Sequence, residues 1–333
     1  KDEIRMNNTV YYHTAPFKIE KKATTLESLR DEYVRVKFLY CGICGGDYSV
    51  YLGRRHKYPV SLGHEWVAKV IQVGKNVKDI TENMCVVSDF NYRCGECNYC
   101  KNGNSHLCID NDIERFTNRG FALYADIHYN YLYSIPYMNW LPRACLIEPL
   151  SCVLHIFEQF LVDDSEPLLL CGVGSIGMLI CFYLTRVKDH KRIYILDHNT
   201  ERLNKVLECF PVRKYSNSLN IRFNTAIDCT NSIEGLKFAL NIINCGGKIC
   251  IMSHLYGLDT SFVYEHICKK ELHPVFPLRN GEKKNMNTAI DLISHYWQQS
   301  DDCMLQIYDD IQTAFDGKAN SNCNKQIISF CNA

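Results

Sequence analysis

The stretch LLLCGVGSIGMLICFYL, residues 168–184, decides how the rest of the chain is read. Its apolarity first suggests a membrane span. Three glycines and a serine interrupt it, however, and it falls short of the roughly 20 apolar residues that a bilayer crossing needs. A buried strand over 168–171, a tight turn and a buried helix over 176–185 account for it instead. The turn holds Gly172, Gly174 and Gly177, a G-x-G-x-x-G pattern placed directly after the strand and at the start of the helix. Glycines there let the backbone approach a pyrophosphate. The helix start, with Ser175 and Ile176, offers unpaired N–H groups and the positive end of its dipole. Asp197 closes the next strand, 20 residues beyond Gly177. A carboxylate at that point accepts hydrogen bonds from ribose hydroxyls and repels a 2′-phosphate, which favours NAD over NADP. His198 and Arg202 lie close enough to soften that preference.

Outward from this turn the texture repeats. A helix over 152–161 precedes it. A strand over 192–196, a helix over 200–210, a strand over 225–229, a helix over 235–243 and a strand over 248–252 follow. This alternation predicts a parallel, doubly wound sheet. The first 150 residues read differently, with strands over 33–40, 65–73 and 84–87 and a polar, cysteine-rich loop over 91–116. After residue 272 the pattern loosens. Pro274 and Pro277 bracket a crossing segment, and the remainder is too short for a domain, so it is expected to pack back on the first one. The expected fold is α/β with two domains: a mostly-β one from 1–151 with 276–333, and the doubly wound one from 152–275.

The chain has 333 residues, 47% apolar and 22% charged, an ordinary globular composition. Lys plus Arg and Asp plus Glu both count 37, so the net charge is zero and gives no footprint for nucleic acid or an anionic membrane. The 19 cysteines are odd in number and spread along the chain, unlike a disulfide scaffold. Residues 1–10 are polar and charged, without a signal pattern. The cysteines are therefore expected to be reduced thiols or metal ligands in a cytoplasmic protein.

Cys94, Cys97, Cys100 and Cys108 form C-x2-C-x2-C-x7-C. Four thiolates on a short loop without an apolar core fit a closed structural zinc site. The bacterial iron–sulfur run also opens C-x2-C-x2-C, but it continues after three residues with Cys-Pro, whereas here seven residues intervene and Ile109 follows Cys108. A second, scattered set comprises Cys44 in CGICGGD, His64 and Glu65 in LGHEW, and Glu148 in IEPLSC. A thiolate, an imidazole and one or two carboxylates suit a catalytic zinc that keeps a position open. Singly, each also reads as a packed or solvated residue.

The order of GICGGD, GHE, the four-cysteine loop, EPLSCVLH and the glycine turn resembles the zinc-containing medium-chain dehydrogenase/reductase superfamily over nearly the whole chain. The likeness is to its polyol and sorbitol-dehydrogenase-like members. The resemblance implies a GroES-like catalytic domain, a Rossmann domain, two zinc ions per chain and a nicotinamide cofactor. It implies a catalytic zinc held by Cys44, His64 and a carboxylate, either Glu65 or Glu148. Two departures stand out: Gly46 replaces a serine or threonine that bonds the substrate oxygen, and Ser49 replaces a proton-relay histidine. The proton path then runs through Ser49 and water, or through a substrate hydroxyl. The basic loop at residues 53–58 (GRRHKY) reads either as a solvated turn or as a phosphate-binding edge of the cleft, and Arg279 as a partner of substrate hydroxyls. The implied substrate is a small polyhydroxylated alcohol (an alditol, cyclitol or sugar, phosphorylated or not), and the implied assembly a homodimer or homotetramer. Alternatives are a dehydrogenase for simple alcohols or threonine-like amino-acid alcohols, or a non-catalytic dinucleotide-binding member of the family.

Overall fold

The computed structural model describes residues 5–54, 58–91, 93–110, 119–255 and 258–332. The chain opens with a hairpin of β1 (Met6–Ala15) and β2 (Lys18–Leu26). There follow β3 (Tyr33–Gly42), α1 (Gly45–Tyr51), β4 (Glu65–Val73), β5 (Cys85–Ser88), the one-turn α2 (Asn98–Lys101), β6 (Tyr124–His128) and β7 (Leu132–Ser134). The middle of the chain alternates: α3 (Ile147–Gln159), β8 (Leu168–Cys171), α4 (Ser175–Phe182), β9 (Ile193–Leu196), α5 (Thr200–Cys209), β10 (Arg213–Lys214), β11 (Phe223–Asp228), α6 (Ile233–Ile242), β12 (Ile243–Ile251), α7 (Ser261–Lys270) and β13 (His273–Val275). α8 (Lys283–Tyr296), β14 (Leu305–Tyr308), α9 (Ile311–Asp316) and β15 (Lys325–Ser329) complete it.

Six strands form a parallel sheet in the order β10-β9-β8-β11-β12-β13. All four residues of β8 are fully buried, as a central parallel strand covered by helices on both faces requires. The order reverses at β8, where β9 lies on one side and β11 on the other. That switch point opens a crevice at the carboxyl ends of the strands, and the glycine turn lies there. Gly177 permits the tight strand-to-helix exit, since a Cβ on it would stand 2.0 Å from the Gly172 carbonyl oxygen.

The other sheet runs β14-β15-β3-β4-β5-β7, with β6 also paired to β3. Val34, Val36, Phe38 and Cys41 of β3 are fully buried against Trp66, Phe121, Phe315 and Phe330. β15 pairs antiparallel with β3, so the chain end does pack back on the first region. α8 instead lies along α3, burying Met286, Ala289 and Ile293 beside α3 and α4. The helix expected over 152–161 starts earlier, at Ile147. A proline in the first turn of a helix lacks no needed N–H, so Pro149 is accommodated and Glu148 joins that turn. No helix among the described residues is long and apolar enough to cross a membrane.

Candidate active site

β3 ends at Gly42 and α1 begins at Gly45, which leaves Cys44 in extended backbone as the residue capping α1. The Gly46 N–H donates to its Sγ at 3.4 Å, and the Cys44 N–H donates to Asp47 Oδ2 at 3.1 Å. His64 stands just before β4, stacked on Phe90 with centroids 4.2 Å apart, and its Nδ1 lies 3.8 Å from Asp47 Oδ1. Glu65 begins β4 and is ion-paired to Lys325 of β15, which is fully buried. Lys325 Nζ also donates to the Ile43 carbonyl at 3.3 Å. Gly42 leaves room for this pair: a Cβ there would sit 2.6 Å from Lys325 Cε and 2.8 Å from Glu65 Oε2.

Ligand atoms of Cys44, His64 and Glu65 lie within 4.8 Å of one another. Glu148 is not a member of that group; its carboxylate accepts a 3.7 Å hydrogen bond from Cys152 Sγ. Burial opposes charge on His64, yet the Cys44 thiolate and Asp47 carboxylate outweigh it and hold the imidazole well above its ordinary pKa. Burial pushes Glu148 up to about 7, against the pull of His64. Cys44, Asp47, Glu65 and Glu148 thus share a desolvated space with His64 and Lys325, and Lys318 lies within electrostatic reach of Glu65 and Cys44. That balance, with a sulfur, a nitrogen and an oxygen donor, suits a divalent zinc ion.

In the second group the sulfurs of Cys94, Cys97, Cys100 and Cys108 also lie within 4.8 Å of one another, with Cys94–Cys100 at 3.9 Å and Cys97–Cys108 at 4.0 Å. Tetrahedral zinc with sulfurs at about 2.3 Å implies edges near 3.8 Å, so the donor set fits. Backbone N–H groups of Cys94 and Glu96 point at Cys108 and Cys94 sulfurs at 3.4 Å each. The loop is anchored by Arg93, which pairs with Asp89 and donates to Ser105 Oγ at 2.6 Å and to the Gly281 carbonyl at 2.8 Å.

At the glycine turn, Gly174 has open space where a side chain would go, and Ser175 Oγ is buried without a hydrogen-bond partner among the described residues. A cradle with an orphaned hydroxyl at a helix start fits a dinucleotide phosphate. Ile176 packs on the core beneath. Asp197 is already engaged: Val173 N–H and Asn199 N–H donate to it at 2.9 and 2.8 Å, and Arg202 Nη2 at 2.9 Å. A carboxylate has about four acceptor sites, so one remains for a ribose hydroxyl rather than two. Arg202 neutralises Asp197 directly, while His198 is exposed.

Ser49 is buried and its Oγ donates to the Gly45 carbonyl at 3.0 Å, within its own helix. A Cβ at Gly46 would stand 3.8 Å from Cys44 Sγ, so space at the metal group is open on that side. The expectation that Arg279 serves substrate hydroxyls needs correcting. Its backbone is left-handed (φ 63°) and its Nη1 donates to the His106 carbonyl on the cysteine loop at 2.8 Å. In the basic loop Arg54 is exposed, and Arg55, His56 and Lys57 lie outside the described residues, as do Tyr92 and residues 111–116 of the cysteine-rich stretch. Sequence reading missed Asp47 and Lys325. Asp47 had a signal, its place three residues after a capping residue. Lys325 had a weaker one, a lone lysine opening an apolar strand.

A mixed sheet carrying a Cys–His–Glu donor group, beside a doubly wound sheet with its glycine turn at the switch point, defines the architecture of a zinc- and nucleotide-binding dehydrogenase. Residues 30–137 match the alcohol dehydrogenase GroES-like domain. The starvation-sensing protein RspB of Escherichia coli is 30% identical over 252 residues, 72% of this chain and 74% of that protein. A sorbitol dehydrogenase of Halalkalibacterium halodurans is 23% identical over 288 residues, 77% of this chain and 83% of the relative. The rspB alcohol dehydrogenase of E. coli CFT073, solved with NADH, superposes with a TM-score of 0.81 at 23% identity, over 97% of this chain and 99% of that one. The chain belongs to the zinc-containing medium-chain dehydrogenase/reductase superfamily, among its polyol-dehydrogenase-like members.

Proposed function

We propose that the chain is a zinc-dependent oxidoreductase that moves hydride between a secondary alcohol carbon of a polyol, cyclitol or sugar, free or phosphorylated, and NAD(P). The observation that carries this reading is the gathering of Cys44, His64 and Glu65 donor atoms within 4.8 Å in a member of this family. When bound, zinc supplies Lewis-acid polarisation of the alcohol oxygen and the nicotinamide supplies the hydride acceptor.

The chain's own residues do the rest. Cys44, His64 and Glu65 hold the metal. Asp47 orients His64 and caps α1, and Lys325 balances the buried Glu65 charge. Glu148 supplies a second carboxylate on the α3 side. Gly172, Gly174, Ser175, Ile176 and Gly177 receive the pyrophosphate, and Asp197 with Arg202 receives the adenosine ribose, with NAD favoured over NADP. Cys94, Cys97, Cys100 and Cys108 hold a second, structural zinc. The catalytic domain comprises 1–151 and 276–333 and the dinucleotide domain 152–275, with α8 crossing the boundary to pack on α3. A cytoplasmic homodimer or homotetramer completes the reading.

The test assays polyols, cyclitols and sugar phosphates with NAD and NADP by absorbance of the reduced nicotinamide, on protein of measured zinc content. Turnover of at least one polyhydroxylated substrate with two zinc ions per chain is expected. One zinc ion per chain and no turnover on the panel would overturn the proposal.

A further inference from the structure

Two cysteines outside both metal groups approach each other closely. Cys209 ends α5, and Cys303 lies in a 3-10 turn (Gln299–Met304) between α8 and β14. Their sulfurs stand 3.6 Å apart across 94 residues of sequence, and Cys209 Sγ also points at the Ser300 carbonyl at 3.7 Å. Both are free thiols, and Cys303 is exposed. We propose that Cys209 and Cys303 form a two-cysteine redox site that closes a reversible disulfide with a small-molecule disulfide as oxidant.

The backbone around the pair is already held. The Arg186 guanidinium pairs with Asp301 and donates to the Cys209 carbonyl at 3.1 Å and to the Tyr296 carbonyl at 3.1 Å. One buried-side arginine therefore clamps the end of α5 to the turn carrying Cys303. A disulfide would bring the sulfurs from 3.6 Å to roughly 2.05 Å, and the arginine holds the backbone on both sides of them. Burial, and then Cys303 itself, pushes the Cys209 thiol up to about 12. The exposed thiol is accordingly the one that meets oxidant.

The chemistry balances as two exchanges. The Cys303 thiolate attacks one sulfur of the oxidant RS–SR, forming a mixed disulfide and releasing RS⁻. The Cys209 thiolate then attacks the Cys303 sulfur, forming the internal S–S bond and releasing the second RS⁻. Two electrons pass from the protein thiols to the oxidant, and the two thiol protons end on the two released RSH. Because Cys209 deprotonates late, the second exchange accelerates as pH rises.

The experiment incubates the zinc-loaded full chain with oxidised glutathione at pH 8, followed by alkylation, non-reducing digestion and mass spectrometry. The expected product is a peptide pair joined through Cys209 and Cys303, two hydrogens lighter than the reduced pair, with zinc content unchanged. The thermal midpoint should rise by roughly 4–10 °C, as closing a long loop predicts, and dithiothreitol should reverse the rise. Cys303→Ser should keep the reduced protein's midpoint and abolish the cross-link. Cys209→Ser should leave a lasting glutathione adduct on Cys303. A lasting adduct on Cys303 in the parent chain would overturn the proposal. So would zinc release while both cysteines remain alkylatable.

Discussion

The two candidate metal groups are built in opposite ways. The loop group takes its four ligands from fifteen consecutive residues, with only the one-turn α2 and a 3-10 turn (Ser105–Leu107) among them and anchors at Arg93 and Glu282. The other takes three ligands from the start of α1 and the start of β4, and its charge balance from a strand 260 residues away. Ligands close in sequence need a metal to give their loop a shape. Ligands set on strand ends inherit their shape from the sheet, and the metal adds chemistry to a frame that already exists.

The sharpest way to break this contrast is Cys44→Ala. Turnover should fall by on the order of a thousand-fold or more, because Lewis-acid stabilisation is worth several kcal/mol. Dinucleotide affinity and thermal midpoint should stay near the parent's, checked by fluorescence titration and calorimetry. Equal loss of NAD affinity would show that the roles are not separate. Cys97→Ser should act through folding instead, lowering the thermal midpoint by roughly 5–15 °C as the loop loses its metal, with activity falling alongside. Normal stability with full zinc content would remove the structural role.

Lys325→Met probes the frame itself. It strands a buried carboxylate, which costs about 3–5 kcal/mol. The loss, measured by urea unfolding, should be larger in zinc-free than in zinc-loaded protein, because the cation also balances Glu65. An equal loss in both forms would place Glu65 off the metal.

His13 tests the same frame by pH. Its ring is fully buried against Phe315 and Tyr51, and burial lowers its pKa to about 4 from 6.5. The unfolded chain therefore binds the extra proton between pH 6.5 and 4, and stability is lost as pH falls through that window. The loss totals about 3 kcal/mol and goes no further once both states are protonated. His13→Phe should flatten this slope in urea-unfolding midpoints taken from pH 7 to 4. An unchanged slope would mean that another group titrates.

The smallest effect belongs to the cofactor side. Asp197→Ser removes one ribose hydrogen bond, so NAD affinity should drop about ten-fold while the NADP to NAD ratio of kcat/KM rises. An unmoved ratio would leave Asp197 as a brace for Val173, Asn199 and Arg202 alone.

How much of this was legible follows from distance along the chain. The glycine turn, Asp197 and the four-cysteine loop are local patterns whose spacing carries the chemistry, and the doubly wound sheet follows from alternation around β8. The partnership of Glu65 with Lys325 has no such signature, because a β-sheet pairs residues that sequence keeps far apart. Whether Glu65 or Glu148 joins Cys44 and His64 has no local signature either; Glu65 is the one whose donor atom lies within 4.8 Å of theirs. The hairpin of β1 and β2 escaped notice because its exposed face, rich in Lys, Glu and Thr, hides the alternation. α8 did carry a helical repeat at Met286, Ala289, Ile290 and Ile293, but the polar residues between Lys283 and Asn287 masked its start.

The crowding at Gly42 also constrains which mutational routes are open to this chain. A side chain at Gly42 collides with Lys325 and Glu65 together. Losing Lys325 alone strands an anion, and losing Glu65 alone strands a cation in the same buried space. The three positions therefore form one unit of inheritance: single changes at any of them are penalised, and drift away from this arrangement has to pass through coordinated replacement of the charged pair before the glycine is free to vary.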